Sequence, residues 1–146
     1  MSLTATIKDA VKAAMRAKQK ERLSTLRLIT AEFKKVEVDE RIEVDDARAL
    51  QILDKMCKQR RDSIQQYSDA GREELAAAEQ AEIDVIAEFL PEALSEDELA
   101  TMVADAIAQS GATGMQDMGK VMGILKPKVQ GRADMAQISQ LVKSQL

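Results

Sequence analysis

Apolar residues return at helical spacing along almost the whole chain, and that period leaves room for little besides amphipathic α-helix. Leu3, Ile7, Val11, Ala14 and Met15 mark a first helix, and Leu23, Leu26, Ile29, Phe33 and Val36 a second. Residues 38–46 are acidic and less periodic, and a loop is expected there. Leu50, Leu53, Met56, Cys57, Ile64 and Tyr67 define a long third helix, which Gly71 is placed to cap. Leu75, Ile83, Ile86 and Leu90 define a fourth, ending at Pro91 because the residue before a proline avoids helical geometry. In "PEALSEDEL" the chain restarts: Ser95 with Glu98 reads as a capping box, and the acidic first turn suits a helix N-terminus. Leu99, Met102, Val103, Ala106 and Ile107 form the fifth stripe, and "SGATG" (110–114) is a turn. Met115, Met118, Met122 and Leu125 begin a sixth helix, with an interruption expected near Pro127. Asp134 with Gln137 reads as a cap for a seventh, whose stripe is Ile138, Leu141 and Val142.

No hairpin signature, internal repeat or low-complexity tract interrupts this pattern. The expectation is an all-α, multihelical protein: an N-terminal helical subdomain over 1–91, then a smaller three-helix C-terminal subdomain over 92–146. Aromatic residues are 2% of the 146, so the core must be built from Leu, Ile, Val, Met and Ala.

Several chemistries are excluded by what is missing. The chain has no histidine, which removes the commonest general base at neutral pH and the commonest metal ligand. Its one cysteine, Cys57, forbids an internal disulfide and a cysteine-based zinc site, and at its place on the third stripe it reads as a core residue. The carboxylates show neither EF-hand spacing nor a recognisable acid–base pair. No metal or cofactor is therefore expected, and no catalytic residue is assigned. No segment has the length of apolar sequence that a membrane span needs, and no signal-peptide pattern opens the chain. A cytoplasmic protein without membrane contact is the expectation.

A net charge of −4 argues against a general nucleic-acid binder. The charge alternates along the chain, however. Residues 1–36 hold nine cations against three anions, and 112–146 hold five against two, while 73–111 hold eleven anions and no cation. Lys8, Lys12, Arg16 and Lys20 recur every four residues as a basic ridge; Arg27 and Lys34 stand two turns apart on the next helix. Solvation of helix faces is the plain reading of both, as internal ion pairing with neighbouring aspartates is for Arg60 and Arg61.

The stretch "MGKVMGILKPKVQGRAD" (118–134) departs from the rest. Gly119, Gly123 and Gly131 stand among Lys120, Lys126, Lys128 and Arg132, around Pro127. "GMQDMGKV" imitates a phosphate loop, but Val121 stands where a hydroxyl would bind magnesium, and no strand precedes it. Gly119 and Gly123, one turn apart, predict either the close approach of a neighbouring helix, the commoner use of such a pair, or backbone left open to an extended ligand. The cations beside a helix start favour a phosphate-contacting surface.

Three segments, "LSTLRLITAEFKKVEVD", "KQRRDSIQQYSDAGREELAAAEQAEIDVIAEFLPEALSEDEL" and "MGKVMGILKPKVQGRAD", together resemble the GatB/YqeY family over essentially the whole chain. The likeness is to its stand-alone YqeY-like members. The last segment resembles the helical tail of the B subunit of the tRNA-dependent glutamine/asparagine amidotransferase, a tRNA-contacting appendage. The resemblance implies an all-α fold, tRNA as partner, and aminoacyl-tRNA or the amidotransferase machinery as its setting. It makes Gly119, Lys120, Gly123, Lys126, Lys128, Gly131 and Arg132 the candidate nucleic-acid-binding residues. The chain has no room for an amidase subunit and no ATP cradle. A label of carbon–nitrogen ligase with glutamine as amido-N-donor would thus be inherited from the larger enzyme. The competing expectation is a helical protein-interaction or regulatory module.

Overall fold

The structure is a computed structural model that describes residues 2–129 and 132–146. Its described residues form seven α-helices and one short 3-10 turn, with no strand: α1 (Leu3–Arg16), α2 (Lys20–Glu40), α3 (Asp46–Asp69), α4 (Glu73–Ala87), α5 (Glu96–Ser110), α6 (Met118–Val129) and α7 (Met135–Gln145). The all-α expectation holds. Contacts divide the chain into two compact units, Met1–Pro91 and Glu92–Leu146.

In the first unit, α3 lays down the core. Ala49, Ile52, Leu53, Met56 and Cys57 recur at i, i+3, i+4, i+7 and i+8 and are all buried. Against them stand Ile7 and Ala14 of α1, Leu26, Ile29 and Phe33 of α2, and Ile86 of α4. Each fully buried aliphatic side chain contributes roughly 1.5–3 kcal/mol. Polar contacts then fix the helices against each other. Arg60 donates from Nε to Glu82 at 2.7 Å, joining α3 to α4, and Arg22 donates to Glu88 at 2.5 Å, joining α2 to the end of α4. Arg60 is thus ion-paired, but with Glu82 and not with the aspartates beside it in sequence. Asp46 has two tasks. It opens α3, where a carboxylate suits the helix dipole, and its Oδ1 accepts from the Leu3 N–H at the start of α1 at 2.8 Å.

The second unit closes its own core from Leu99, Val103 and Ala106 of α5, Val121, Leu125 and Val129 of α6, and Ile138 and Val142 of α7. Ser95 accepts from the Glu98 N–H at 3.1 Å, as the capping box predicts, while its hydroxyl meets the Glu98 carboxylate at 3.1 Å in place of the reciprocal backbone bond. Asp134 caps α7 through the Ala136 N–H at 3.1 Å.

Several local expectations change. The helix α2 runs on to Glu40, so the acidic loop shortens to the residues around Arg41–Asp45. Arg41 ends α2 in the left-handed conformation, its N–H on the Glu37 carbonyl. The basic ridge of every fourth residue breaks after Arg16. A turn through Lys18, at φ +57°, ends α1, and Lys20 begins α2. Met15, Leu75 and Met115, assigned to stripes, are exposed. Met115 lies in the 3-10 turn Met115–Asp117 ahead of α6.

Pro127 does not interrupt α6, which continues to Val129. A proline within a helix removes one hydrogen bond, here the one to the Gly123 carbonyl, and crowds that carbonyl. Gly123 is exposed, so water can solvate its carbonyl, and burial of Leu125 and Val129 holds the last turn in place.

Two outcomes are expected. Asp46→Ala should cost about 1 kcal/mol, the scale of a lost helix cap. It should speed amide exchange at the N-terminus of α1, with Asp46→Asn milder; equilibrium denaturation and hydrogen exchange measure both. Burial pushes the Cys57 thiol above its usual pKa, with Asp54 adding to the rise and Arg61 and Arg60 opposing it. Cys57 should therefore resist a thiol reagent at neutral pH until the protein unfolds.

Candidate nucleic-acid interface

Burial of Val121, Leu125 and Val129 decides which way α6 faces. At about 100° per residue these three form one line, and the opposite side of the helix is Gly119, Gly123 and Pro127. All three are exposed. A Cβ built at Gly119 or at Gly123 meets nothing within 4 Å. The expected close approach of a neighbouring helix is therefore absent, and the two glycines leave backbone bare to solvent. Pro127 extends the strip and has no N–H to give the Gly123 carbonyl. The strip is about 12 Å long at 1.5 Å per residue.

Two lysines rim it. Lys120 lies about 60° to one side of Gly123 and Lys126 about 60° to the other. Both are exposed. Lys120 forms a long ion pair with Asp117 Oδ1 at 3.8 Å, one turn back, and Asp117 Oδ2 accepts from the Thr113 N–H at 3.1 Å. Lys126 and Lys128 occupy the last turn, where cations suit the dipole by about 0.3–1 kcal/mol.

The other candidates are placed differently. Lys128 is exposed but lies about 180° round the helix from Gly119 and about 140° from Gly123, so it stands on the far side of α6 from the strip. Arg132, half-buried, follows α6 and is engaged within the unit. Its Nε donates to the Glu92 carbonyl at 3.2 Å, and its own carbonyl accepts from the Leu94 N–H at 3.0 Å. That pair ties the segment before α5 to the segment before α7, so Arg132 has a structural task that its charge did not announce. Gly131 lies outside the described residues. The phosphate-loop likeness dissolves, because Gly114 is extended between α5 and a 3-10 turn. Among the described residues no group of three or more Cys, Asp or Glu side chains is arranged to hold a metal ion.

With this geometry in place, comparison with known proteins decides the family. The profile described as Yqey-like protein matches residues 4–146. This chain belongs to the YqeY-like family. The GatB/YqeY resemblance is thereby upheld. A protein of Pyrenophora tritici-repentis named altered inheritance of mitochondria protein 41, mitochondrial, is 31% identical over 125 residues, 84% of this chain and 68% of that one. A protein of the same name from Eremothecium gossypii is 39% identical over 87 residues, 59% of this chain and 48% of its own. An uncharacterised protein of Schizosaccharomyces pombe is 31% identical over 91 residues, 62% of this chain and 74% of its own. Among the described residues no helix is long and apolar enough to cross a membrane.

The bare strip has a stability consequence that opposes the packing expectation. Gly123 lies inside α6 with open space beside it, so Gly123→Ala should stabilise the protein by about 1 kcal/mol. Gly119, in the first turn, should yield less. Thermal melts would measure both, and a drop in stability for Gly123→Ala would mean that the glycine seats something after all.

Proposed function

We propose that this protein is a tRNA-binding accessory module without catalysis of its own, its C-terminal unit acting as the tail of the tRNA-dependent amidotransferase does. The observation that carries the reading is Gly123, an exposed helix-interior glycine with no packing partner, centred between Lys120 and Lys126. A phosphodiester is bulky and anionic. It gains from a helix face with no side chains in the way and with cations at the rim, and such contacts position a nucleic acid without reading its sequence. The ribose 2′-hydroxyl can donate as well as accept, and the Gly123 carbonyl, deprived of a proline N–H, suits it as an acceptor. Lys120 and Lys126 contact phosphate in this reading, Lys128 stands away from the strip, and Arg132 holds the neighbouring segment.

Aminoacyl-tRNA and the amidotransferase machinery are the setting we infer for it. The carbon–nitrogen ligase label belongs to that larger enzyme. The compartment is an aqueous one holding tRNA: the cytoplasm, or mitochondria if this chain follows the relatives whose names place them there.

The test is a titration of tRNA at several salt concentrations. Affinity on a duplex falls with log salt at a slope of about −0.9 per phosphate neutralised, so the two rim lysines imply a slope of about −2. Changing Lys120 and Lys126 together to Gln should flatten that slope and weaken binding for every tRNA tried, while Lys128→Gln alone should change it little. Both rim lysines are exposed, so a thermal melt should show little change. Gly123→Ala should weaken binding while raising stability, a combination that a solvated surface would not give. Parental binding by both the Lys120 and Lys126 variant and Gly123→Ala would refute the assignment.

A further inference from the structure

The outward side of α2 is a second unusual surface, in the other unit. Exposed Lys20, Ser24, Arg27, Leu28, Ala31, Lys34, Lys35 and Val38 share, at 100° per residue, one arc of about 120°, and exposed Glu21 and Asp39 lie about 20° beyond its edge. Lys20, Arg27 and Lys34 recur every seven residues, so they stack along one edge over about 21 Å. Leu28 at 43% and Val38 at 67% are among the most exposed large apolar side chains of the described residues.

Two open cavities border this side, the first on it and the second where it turns toward α1. The first, about 400 Å³, is lined by Lys20, Leu23, Ser24, Arg27 and Leu28. The second, about 440 Å³, lies where α1 meets α2 and is lined by Thr4 and Lys8 of α1 and by Thr30, Ala31, Phe33, Lys34 and Glu37 of α2. Each joins apolar wall to cationic rim. Among the described residues none of Lys8, Lys20, Arg27, Lys34 or Lys35 forms an ion pair. An acidic chain thus holds four cations without an ion pair on this face of α2, interleaved with exposed aliphatic groups, and a fifth, Lys8, beside them on α1.

We propose that this face docks an acidic amphipathic helix of a partner protein. Charge complementarity selects the sign, because the unpaired lysines and arginine need carboxylates. The cavities select the amphipathic helix. A helix offers apolar side chains at i, i+4, i+7 and i+11 to successive hollows, while its flanks carry Asp and Glu over the rims. A phosphodiester would use the cations and leave Leu28, Ala31 and Val38 uncovered, and no exposed aromatic ring stands on this side of α2 to stack a base. Glu37 limits the acidic part of the partner to the stretch from Lys20 to Lys34, about four helical turns.

The test uses the full chain and a fluorescein-labelled synthetic helix of about 15 residues, enough to span that stretch. The peptide carries Leu at i, i+4, i+7 and i+11 with Glu on both flanks. One control redistributes the leucines, and another replaces every Glu by Lys. Fluorescence anisotropy should show the first peptide binding at least about tenfold tighter than either control, a gap of about 1.4 kcal/mol. Arg27→Glu with Lys34→Glu should reverse the preference, weakening the acidic peptide and recruiting the lysine peptide. The gain of the lysine peptide shows that the variant is folded. Equal binding of the ordered and redistributed peptides would overturn the proposal, as would loss of the acidic peptide with no gain of the other. If the double variant instead loses tRNA while the acidic peptide never binds, the face is a nucleic-acid contact and the proposal fails.

Discussion

Everything in this protein hangs on narrow aliphatic stripes. With Phe33, Phe89 and Tyr67 as its whole aromatic complement, the chain has few large rings to fill space between elements. Each helix must turn a line of Leu, Ile, Val, Met or Ala toward its neighbours. The buried stripe of α3 anchors the first unit, and Val121, Leu125 and Val129 anchor the second. A narrow stripe leaves most of each helix in water. That is why charged residues make up 32% of the chain, and why the functional question concerns which parts of that surface are more than solvation.

The same stripes explain what could be read from sequence. Helical periodicity located all seven helices, because period and burial are the same physical fact seen twice. Ends were harder. The residues Val38–Glu40 look like loop by composition, yet the helix continues through them until Arg41 turns left-handed. The larger error lay at α6. Expecting Pro127 to stop the helix hid Val129, and without Val129 the line Val121–Leu125–Val129 cannot be recognised as the core stripe. Met118 and Met122 then look like the buried side, and Gly119 and Gly123 seem placed to seat a neighbour. In the folded unit the glycines face outward. The residues of the candidate strip were legible; the direction they face was set by packing of the last turn over a proline. The task of Arg132 was illegible for a related reason, since its partner, the Glu92 carbonyl, lies forty residues away.

Exposed glycine inside a helix is the more telling observation for being wasteful. Alanine there would lower the free energy of the fold by about 1 kcal/mol and disturb nothing within reach. Domains have total stabilities of about 5–15 kcal/mol, so that sacrifice is not small. Lysines in the last turn of α6 have an ordinary explanation in the helix dipole, and on their charge alone no site would be claimed. Glycine has no such explanation, and that is why the nucleic-acid reading rests on Gly123 more than on the cations around it.

The two unusual surfaces are built by opposite means, and the difference bears on what each can hold. On α6 side chains are taken away, leaving bare backbone with Lys120 and Lys126 at its rim, which suits a ligand whose own backbone is thick and uniformly charged. On α2 side chains are added, with aliphatic groups and cations alternating over hollows of about 400 and 440 Å³. Such relief suits a ligand with knobs of its own. Charge draws an anion to either surface, and salt weakens both attractions. Apolar burial separates them, since an occupant that fills the first hollow and lies along the helix removes Leu28 from water and an ion at the cations does not. Binding at α2 should therefore keep a salt-insensitive part that binding at α6 lacks.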